Sequence, residues 1–326
     1  TKVQPPGPLF ALPLPLDAVA NAVADANAAD HFAVECAAGQ RVHVEVWANR
    51  IDSRIDPLVE IRGPDGRLVE VSAEAIDGDP VLDFTSVAAG RHVVQVHDRY
   101  ARGGGEFFYR LAVSTGPVVV AVFPAAAEVG EPATITVMGR GLGDDAGPMP
   151  DDDGRGLEQK AIEVDPSQIG FDDPAVPAGR LLSSRDTAAD LVPLRGGVFD
   201  QLPSPPTVLQ VDLDVVPEVE PNDESDLPQL VPWPAAIAGR FHPRGDRDWF
   251  AFEAAAGQTI TLDLFSRRLG SETDASLRLE RLAFDDAGGI TAHEVAFADD
   301  GPQEFQGAIV DRPSLDPQVS FTADVA

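Results

Sequence analysis

Apolar and polar residues alternate with a period of two in many short stretches of the chain. Val42, Val44 and Val46 enclose His43 and Glu45, and Ile260, Leu262 and Leu264 enclose Thr261 and Asp263. Successive side chains of a strand point to opposite faces of its sheet, so this alternation predicts strands with one buried face. Similar runs predict strands over 58–61, 67–71, 81–85, 91–97 and 107–113, with a turn at Pro64-Asp65-Gly66. Short strands at regular spacing, separated by turn signals, predict an all-β sandwich. No apolar run approaches the ~20 residues of a membrane-spanning helix.

The pattern occurs twice. The stretch from Asp30 repeats at Asp248, without a gap and at a constant spacing of 218 residues. Asp30, Phe32, Glu35, Gly39, Gln40, Arg50, Ser53 and Asp56 recur as Asp248, Phe250, Glu253, Gly257, Gln258, Arg268, Ser271 and Asp274. Upstream, Ala18-Val19-Ala20 matches Ala236-Ile237-Ala238. The Ala-Gly-Gln of both copies predicts a turn between two strands. Phe321-Thr322 stands where Phe84-Thr85 does, and the strands over 91–97 and 107–113 have no counterpart before Ala326. The second copy is therefore expected to lack its last two strands, and the chain to be part of a longer protein. Such a sandwich exposes an edge and part of its core.

Between the copies, 117–142 predicts two strands, the second over 133–138 and ending in Gly139-Arg140-Gly141. The acidic, Pro- and Gly-rich stretch 143–156 predicts a loop. Strand pieces near 161–164 and 207–213 are expected to complete a small sandwich. The expected organisation is a first sandwich over 1–115, a smaller β module over 116–210 and a second sandwich over 211–326.

The 326 residues carry a formal net charge of −30. That field repels phosphate backbones, so no nucleic-acid partner is expected. It favours hard divalent cations, which take several carboxylate oxygens. The one cysteine, Cys36, excludes an internal disulfide and a Cys-based zinc site. None of the six histidines has H-E-x-x-H spacing, and there is no nucleophile elbow or P-loop. No catalytic residue is assigned and no enzymatic activity is expected.

Several residues together carry a family resemblance. They are Glu220-Pro221-Asn222-Asp223, Gly245-Asp246-Arg247-Asp248-Trp249-Phe250-Ala251-Phe252, Ala256-Gly257-Gln258 and Arg268-Leu269-Gly270-Ser271 with Asp274. In the first copy, Asp56-Pro57 and Ala89-Gly90-Arg91-His92-Val93-Val94 fit as well. The repeat resembles the bacterial pre-peptidase C-terminal (PPC) domain, which is also the collagen-binding module of secreted collagenases. The middle segment resembles an immunoglobulin-like IPT/TIG module through Phe123-Pro124, Gly130 and Gly139-Arg140-Gly141-Leu142. The string of modules is similar to those of large exported proteins of planctomycete-type bacteria. The resemblance implies tandem jelly-roll-like β-sandwiches flanking an immunoglobulin-like module. It also implies a secreted, cell-surface or periplasmic location and a non-catalytic role.

In the collagen-binding relatives an acidic linker and an acidic turn hold calcium. Carried over, the ligands are Glu218, Glu220, Asn222 and Asp223 from the linker and Asp246 and Asp248 from the turn. The relatives space the turn carboxylates D-x-x-D, where this chain has D-x-D. The first copy keeps only Asp30 of the six positions, and no calcium site is expected there.

Other residues receive structural readings. Asp56 and Asp274 are expected to bond Arg50 and Arg268. Trp47, Trp249, Phe32 and Phe250 are expected in cores, Trp233 to be partly exposed, and Cys36 to be a small buried filler. Asp144, Asp145 and Asp151-Asp152-Asp153 read as a solvated acidic loop. Arg244-Gly245-Asp246 spells an adhesion tripeptide whose Gly and Asp the turn already explains. The expected function is a monomeric binding or adhesion module for an extracellular polymer or protein. The alternatives are a spacer stiffened by calcium, and an accessory region of a secreted peptidase or other enzyme whose catalytic domain lies elsewhere.

Overall fold

The structure is a computed structural model that describes residues 10–73, 79–150, 156–165, 189–202, 205–243, 245–271, 273–284, 290–301, 304–305, 308–309 and 315–324. The described residues hold strands and short 3-10 turns but no α-helix, so the fold class is all-β. The chain divides into two compact units, Thr1–Val118 with Gln201–Ser204, and Val119–Asp200 with Pro205–Ala326.

The first unit contains β1 (Leu12–Pro13), β2 (Ala18–Val23), β3 (Asp30–Cys36), β4 (Arg41–Trp47), β5 (Pro57–Arg62), β6 (Leu68–Ser72), β7 (Val81–Thr85), β8 (Gly90–Asp98) and β9 (Phe108–Ser114). They form a five-stranded sheet in the order β1-β3-β8-β5-β6 and a four-stranded sheet in the order β2-β9-β4-β7. The alternation decides which face is buried. Val42, Val44 and Val46 of β4 meet Val34, Val59, Ile61, Val94 and Val96 of the other sheet in one core, with Leu111 and Tyr109 of β9. Each such side chain removed from water contributes about 1.5–3 kcal/mol. Cys36 belongs to this core, and burial pushes its thiol above the usual range.

The second unit holds two groups of strands. The first comprises β10 (Val118–Phe123), β11 (Ala126–Glu128), β12 (Ala133–Arg140), β13 (Gly147–Pro148), β14 (Glu158–Val164), β15 (Ala189–Pro193) and β16 (Thr207–Val211). These make a four-stranded sheet, β10-β12-β14-β13, and a three-stranded sheet, β11-β16-β15. Ala127, Ile135, Val137, Val164, Val192 and Val208 are their buried residues of lowest exposure. The second group comprises β17 (Val215–Pro217), β18 (Gln229–Leu230), β19 (Ala236–Ala238), β20 (Phe250–Ala251), β21 (Thr259–Asp263), β22 (Leu277–Phe284), β23 (Ile290–Ala298), β24 (Glu304–Phe305), β25 (Ala308–Ile309) and β26 (Gln318–Thr322). These pair two by two: β17-β19, β18-β20, β21-β26, β22-β23 and β24-β25.

The repeat is structural as well as sequential. Gly39 and Gly257 both adopt positive φ (77° and 80°), a conformation that favours glycine. Gln40 Oε1 accepts the Ala37 N–H (2.8 Å), and Gln258 Oε1 accepts the Ala255 N–H (3.1 Å). These bonds explain why Gln follows Gly in both turns. β4 pairs with β7 from Arg41↔Thr85, and β21 pairs with β26 from Thr259↔Thr322.

After β4 the chain makes a 3-10 turn, Asn49–Ile51, and the same turn recurs as Arg267–Leu269. Asp79 Oδ1 accepts the N–H groups of Ala48 (3.0 Å) and Asn49 (2.7 Å). Its Oδ2 accepts the Arg50 Nε–H (2.9 Å), while Arg50 Nη1 donates to Glu45 Oε1 (2.7 Å). In the second module Asp316 accepts the N–H groups of Arg267 (2.7 Å) and Arg268 (3.0 Å) and the Arg268 Nε–H (2.9 Å). Arg268 also pairs with Asp263. The guanidiniums lie over aromatic rings, Arg50 over Trp47 and Arg268 over Phe265.

This clamp corrects two expectations. Arg50 and Arg268 bond Asp79 and Asp316, not Asp56 and Asp274. The Asp56 carboxylate lies 3.7 Å from Arg99 instead, and Asp274 is exposed. Trp47 is half-buried between the guanidiniums of Arg50 (5.3 Å) and Arg110 (5.2 Å), outside the core that holds Phe32. The odd positions of the pattern point away from Val42, Val44 and Val46, which is why Trp47 does so.

Asp79 and Glu45 are 0% and 2% exposed, so removing Arg50 leaves two buried carboxylates without their cation. Arg50→Ala is expected to destabilise the first module by about 3–5 kcal/mol. Urea unfolding of the full chain measures this. A loss under about 1 kcal/mol, the size of a surface pair, would contradict a structural clamp.

Candidate metal centre

The acidic cluster is assembled by backbone pairing at the entrance to the second module. β17 runs parallel to β19, and the Glu218 N–H continues the pairing by donating to the Ala238 carbonyl (2.8 Å). Glu218 thus projects from the end of a fixed strand, with its Oε2 accepting the Arg240 N–H (2.8 Å). Four residues on, the Asn222 carbonyl accepts the Trp249 N–H (2.9 Å), which holds Asn222 beside Asp248. The Asn222 N–H donates to Glu220 Oε2 (3.1 Å). The tight turn before Asp248 is closed by the Asp246 N–H on the Pro243 carbonyl (3.1 Å). The Asp246 carboxylate accepts the N–H groups of His242 (2.6 Å) and Arg247 (2.8 Å).

All six residues singled out in the sequence meet here. Glu218, Glu220 and Asp248 each bring a carboxylate oxygen within 4.8 Å of the others, and so do Glu220, Asp223 and Asp246. Glu220 belongs to both sets. Two oxygens bound to one calcium at 2.3–2.6 Å lie up to ~5 Å apart, so these separations suit a shared ion. Asn222 is fully buried, and its Nδ2 donates to Glu218 Oε1 (3.3 Å). Its Oδ1 has no hydrogen-bond partner, and neither does the buried Oδ1 of Asp248. Buried acceptors without donors cost about 1–3 kcal/mol each, which a cation between them would relieve.

The carboxylates also strain one another electrostatically. Burial, then the charges of Glu218 and Asp246, push the Asp248 carboxyl up to about 7. A hydrogen bond with Asp246 raises that of Asp223. The donor set is all oxygen, with carboxylates and one amide, which is the chemistry of calcium and other hard cations. Gly239, which sequence reasoning passed over, lines the cluster. A Cβ there would lie 3.6 Å from both Glu218 Oε1 and Asp248 Oδ2. The only signal for it is that Asn21 occupies the corresponding place in the first copy.

The first module uses the equivalent aspartate differently. Asp30 Oδ2 accepts the hydroxyl of the buried Tyr109 (2.6 Å), on β9. Of the other acidic candidates, Asp145 is exposed and pairs with Lys160 (2.7 Å), which holds its carboxyl below the usual range. Asp151, Asp152 and Asp153, and Arg244 of the adhesion tripeptide, lie outside the described residues. Trp233 is half-buried and stacks on Phe252 with ring centres 5.0 Å apart. Trp249 and Phe250 are half-buried, not core residues as expected. Among the described residues no helix is long and apolar enough to cross a membrane.

No protein-family model matches the chain, and no curated protein does. Solved structures do. The pre-peptidase C-terminal domain of collagenase from Bacillus anthracis is 13% identical, covers 34% of this chain and 99% of its own, and gives a TM-score of 0.28. PliG, a periplasmic inhibitor of g-type lysozyme from Aeromonas hydrophila, is 19% identical over 31% of this chain and 94% of its own, with a TM-score of 0.26. The M60 catalytic domain with two CBM51 domains from Clostridium perfringens ZmpB is 10% identical over 83% of this chain and 23% of its own, with a TM-score of 0.20. At these identities and TM-scores none of them assigns a function, and the reading below rests on the residues.

The raised Asp248 carboxyl has a pH consequence in metal-free protein. Between its ordinary value near ~4 and about 7, the folded state binds a proton that the unfolded state has released. Stability from this group is therefore expected to fall as pH rises through that window. Thermal midpoints in chelator at pH 4.5 and 7.5 test it against Asp248→Asn. The drop with pH is expected to be smaller in the variant, and an equal drop in both would contradict the assignment.

Proposed function

We propose that the chain is a non-catalytic binding or adhesion module of an exported bacterial protein, and that its second repeat holds calcium. The observation that carries the metal reading is the pair of buried acceptors, Asn222 Oδ1 and Asp248 Oδ1, without donors among five carboxylates. Glu218, Glu220, Asn222, Asp223, Asp246 and Asp248 are the proposed ligands. The resemblance of the repeat to PPC domains supports the extracellular setting and an extracellular polymer or protein as partner. The absence of catalytic motifs from the sequence agrees with an accessory role.

A second reading, a spacer stiffened by calcium, rests on where the ligands come from. Glu218, Glu220, Asn222 and Asp223 follow directly on β17, ahead of the sandwich strands, while Asp246 and Asp248 belong to the turn before β20. An ion between the two sets would fasten this leading segment to the module. The readings differ in what calcium changes. The adhesion reading expects saturable binding to collagen-like, glycan or envelope material. The spacer reading expects only a calcium-dependent change in shape, seen by small-angle scattering.

Calorimetric titration of calcium into chelator-treated protein tests the site common to both. Binding at about one site is expected, in the micromolar to millimolar range of extracellular calcium modules. It should be lost in Asp248→Ala and weakened at least about tenfold in Asp223→Ala, a cost of about 1.4 kcal/mol. No heat of binding up to about 5 mM calcium would overturn the metal reading.

A further inference from the structure

Arg240 stands beside the acidic cluster with its charge turned away from it. Its backbone N–H donates to Glu218 Oε2 (2.8 Å), which sets residue 240 against a proposed ligand. Among the described residues its guanidinium pairs with no carboxylate. The guanidinium lies instead over the ring of Phe123, 4.5 Å from the ring centre. Phe123 is the last residue of β10 in the middle β module, and both residues belong to the second compact unit.

Other arginines of this chain do the opposite. Arg50 gives both its N–H (3.3 Å) and its Nε–H (2.9 Å) to Asp79 Oδ2. Arg268 gives both to Asp316 Oδ2, at 3.0 Å and 2.9 Å. Arg102 gives both to Asp98 Oδ1, at 2.9 Å and 3.1 Å. An arginine can therefore fold its guanidinium back onto the carboxylate that its own N–H engages. Arg240 has the same opening at Glu218, with the charges of Glu220, Asp223, Asp246 and Asp248 behind it. It does not take that opening. An exposed cation–π contact and an exposed ion pair are of similar strength, so an aromatic face can hold a guanidinium off a carboxylate.

We propose that Arg240 and Phe123 set the cation affinity of the acidic cluster, Arg240 as a built-in competitor for the ion and Phe123 as the perch that holds it off. This rests on the metal reading above. With the guanidinium on Phe123, the charge of Glu218 is left to the ion. With the guanidinium on Glu218, that charge is already neutralised, and the ion must first displace it. Affinity then scales with the fraction of time the guanidinium spends away from the carboxylates. The middle β module thereby tunes a site whose proposed ligands all lie beyond it in the chain.

The test is calorimetric titration of calcium into the chelator-treated full chain. Phe123→Ala is expected to bind calcium about threefold more weakly, as for a guanidinium that spends about two-thirds of its time on Glu218. Phe123→Leu keeps apolar bulk at the end of β10 and guards against a variant that fails to fold. It is expected to lose as much. Arg240→Ala should bind at least as tightly as the wild type. Phe123→Ala combined with Arg240→Ala should recover the affinity of Arg240→Ala, which a merely structural loss at Phe123 would not do. Unchanged affinity in both Phe123 variants, or a double variant as weak as Phe123→Ala, overturns the proposal and leaves the metal reading standing. No heat of binding in the wild type overturns both.

Discussion

In each copy of the repeat one arginine is held between two carboxylates, and in the first it fixes the place where the chain leaves one sheet for the other. β4 lies in the four-stranded sheet and β5 in the five-stranded one, and Asn49–Ile51 is the turn between them. Glu45 comes from β4 and Asp79 from the approach to β7, so Arg50 ties three points of the chain together. The carboxylate of Asp79 also takes the free N–H groups of the turn, which its burial would otherwise leave unpaired. A buried ion pair is poor evidence of stability by itself, because desolvation offsets attraction. Its value here is geometric: with the turn fixed, β5 can start in register with β8. All three charges recur as Arg268, Asp263 and Asp316 around the turn Arg267–Leu269 of the second copy.

Given a common frame, the two copies diverge at the aspartate they share, Asp30 and Asp248. Asp30 accepts a tyrosine hydroxyl supplied by β9. Asp248 has no described counterpart of β9 nearby, and it faces Glu218 and Asn222 from the leading segment instead. Carboxylates in such proximity lose free energy to mutual repulsion and desolvation unless protons or a cation compensate. The raised Asp248 carboxyl is the proton solution, and calcium is the proposed alternative to it. The same position therefore accepts a tyrosine hydroxyl in one module and belongs to the candidate ion site in the other.

Much of this was legible in the chain. Period-two alternation marks β4 to β9 of the first module to within one or two residues, while β1 and β2 carry no such mark, and the repeat places β21. The six acidic and amide positions were legible through family resemblance, and the structure brings them together. The clamp is not legible at a fixed repeat spacing. That spacing is 218 residues at Arg50 and Arg268 but 237 at Asp79 and Asp316, since the hairpin β22–β23 is longer than β5–β6 and the stretch from β23 to Asp316, which holds β24 and β25, is longer than that from β6 to Asp79. The Asp-Pro dipeptides at Asp79-Pro80 and Asp316-Pro317 carried the signal, and a gapped alignment exposes it. Asp56, close in sequence, was the wrong partner because Arg50 reaches back along β4 and not forward. Burial of Asn222 is equally hidden: its carbonyl is met by the N–H of Trp249, 27 residues on and just before β20.

The claim that most of the functional account rests on is that calcium sits among Glu218, Asn222 and Asp248. A crystal structure of the chain grown with calcium, with anomalous scattering to identify the ion, measures this directly. The account predicts an ion coordinated at about 2.3–2.6 Å by Asn222 Oδ1 and by carboxylate oxygens that include Glu218 and Asp248. A structure without an ion there, in which water molecules or rearranged donors satisfy Asn222 Oδ1 and Asp248 Oδ1, would contradict it.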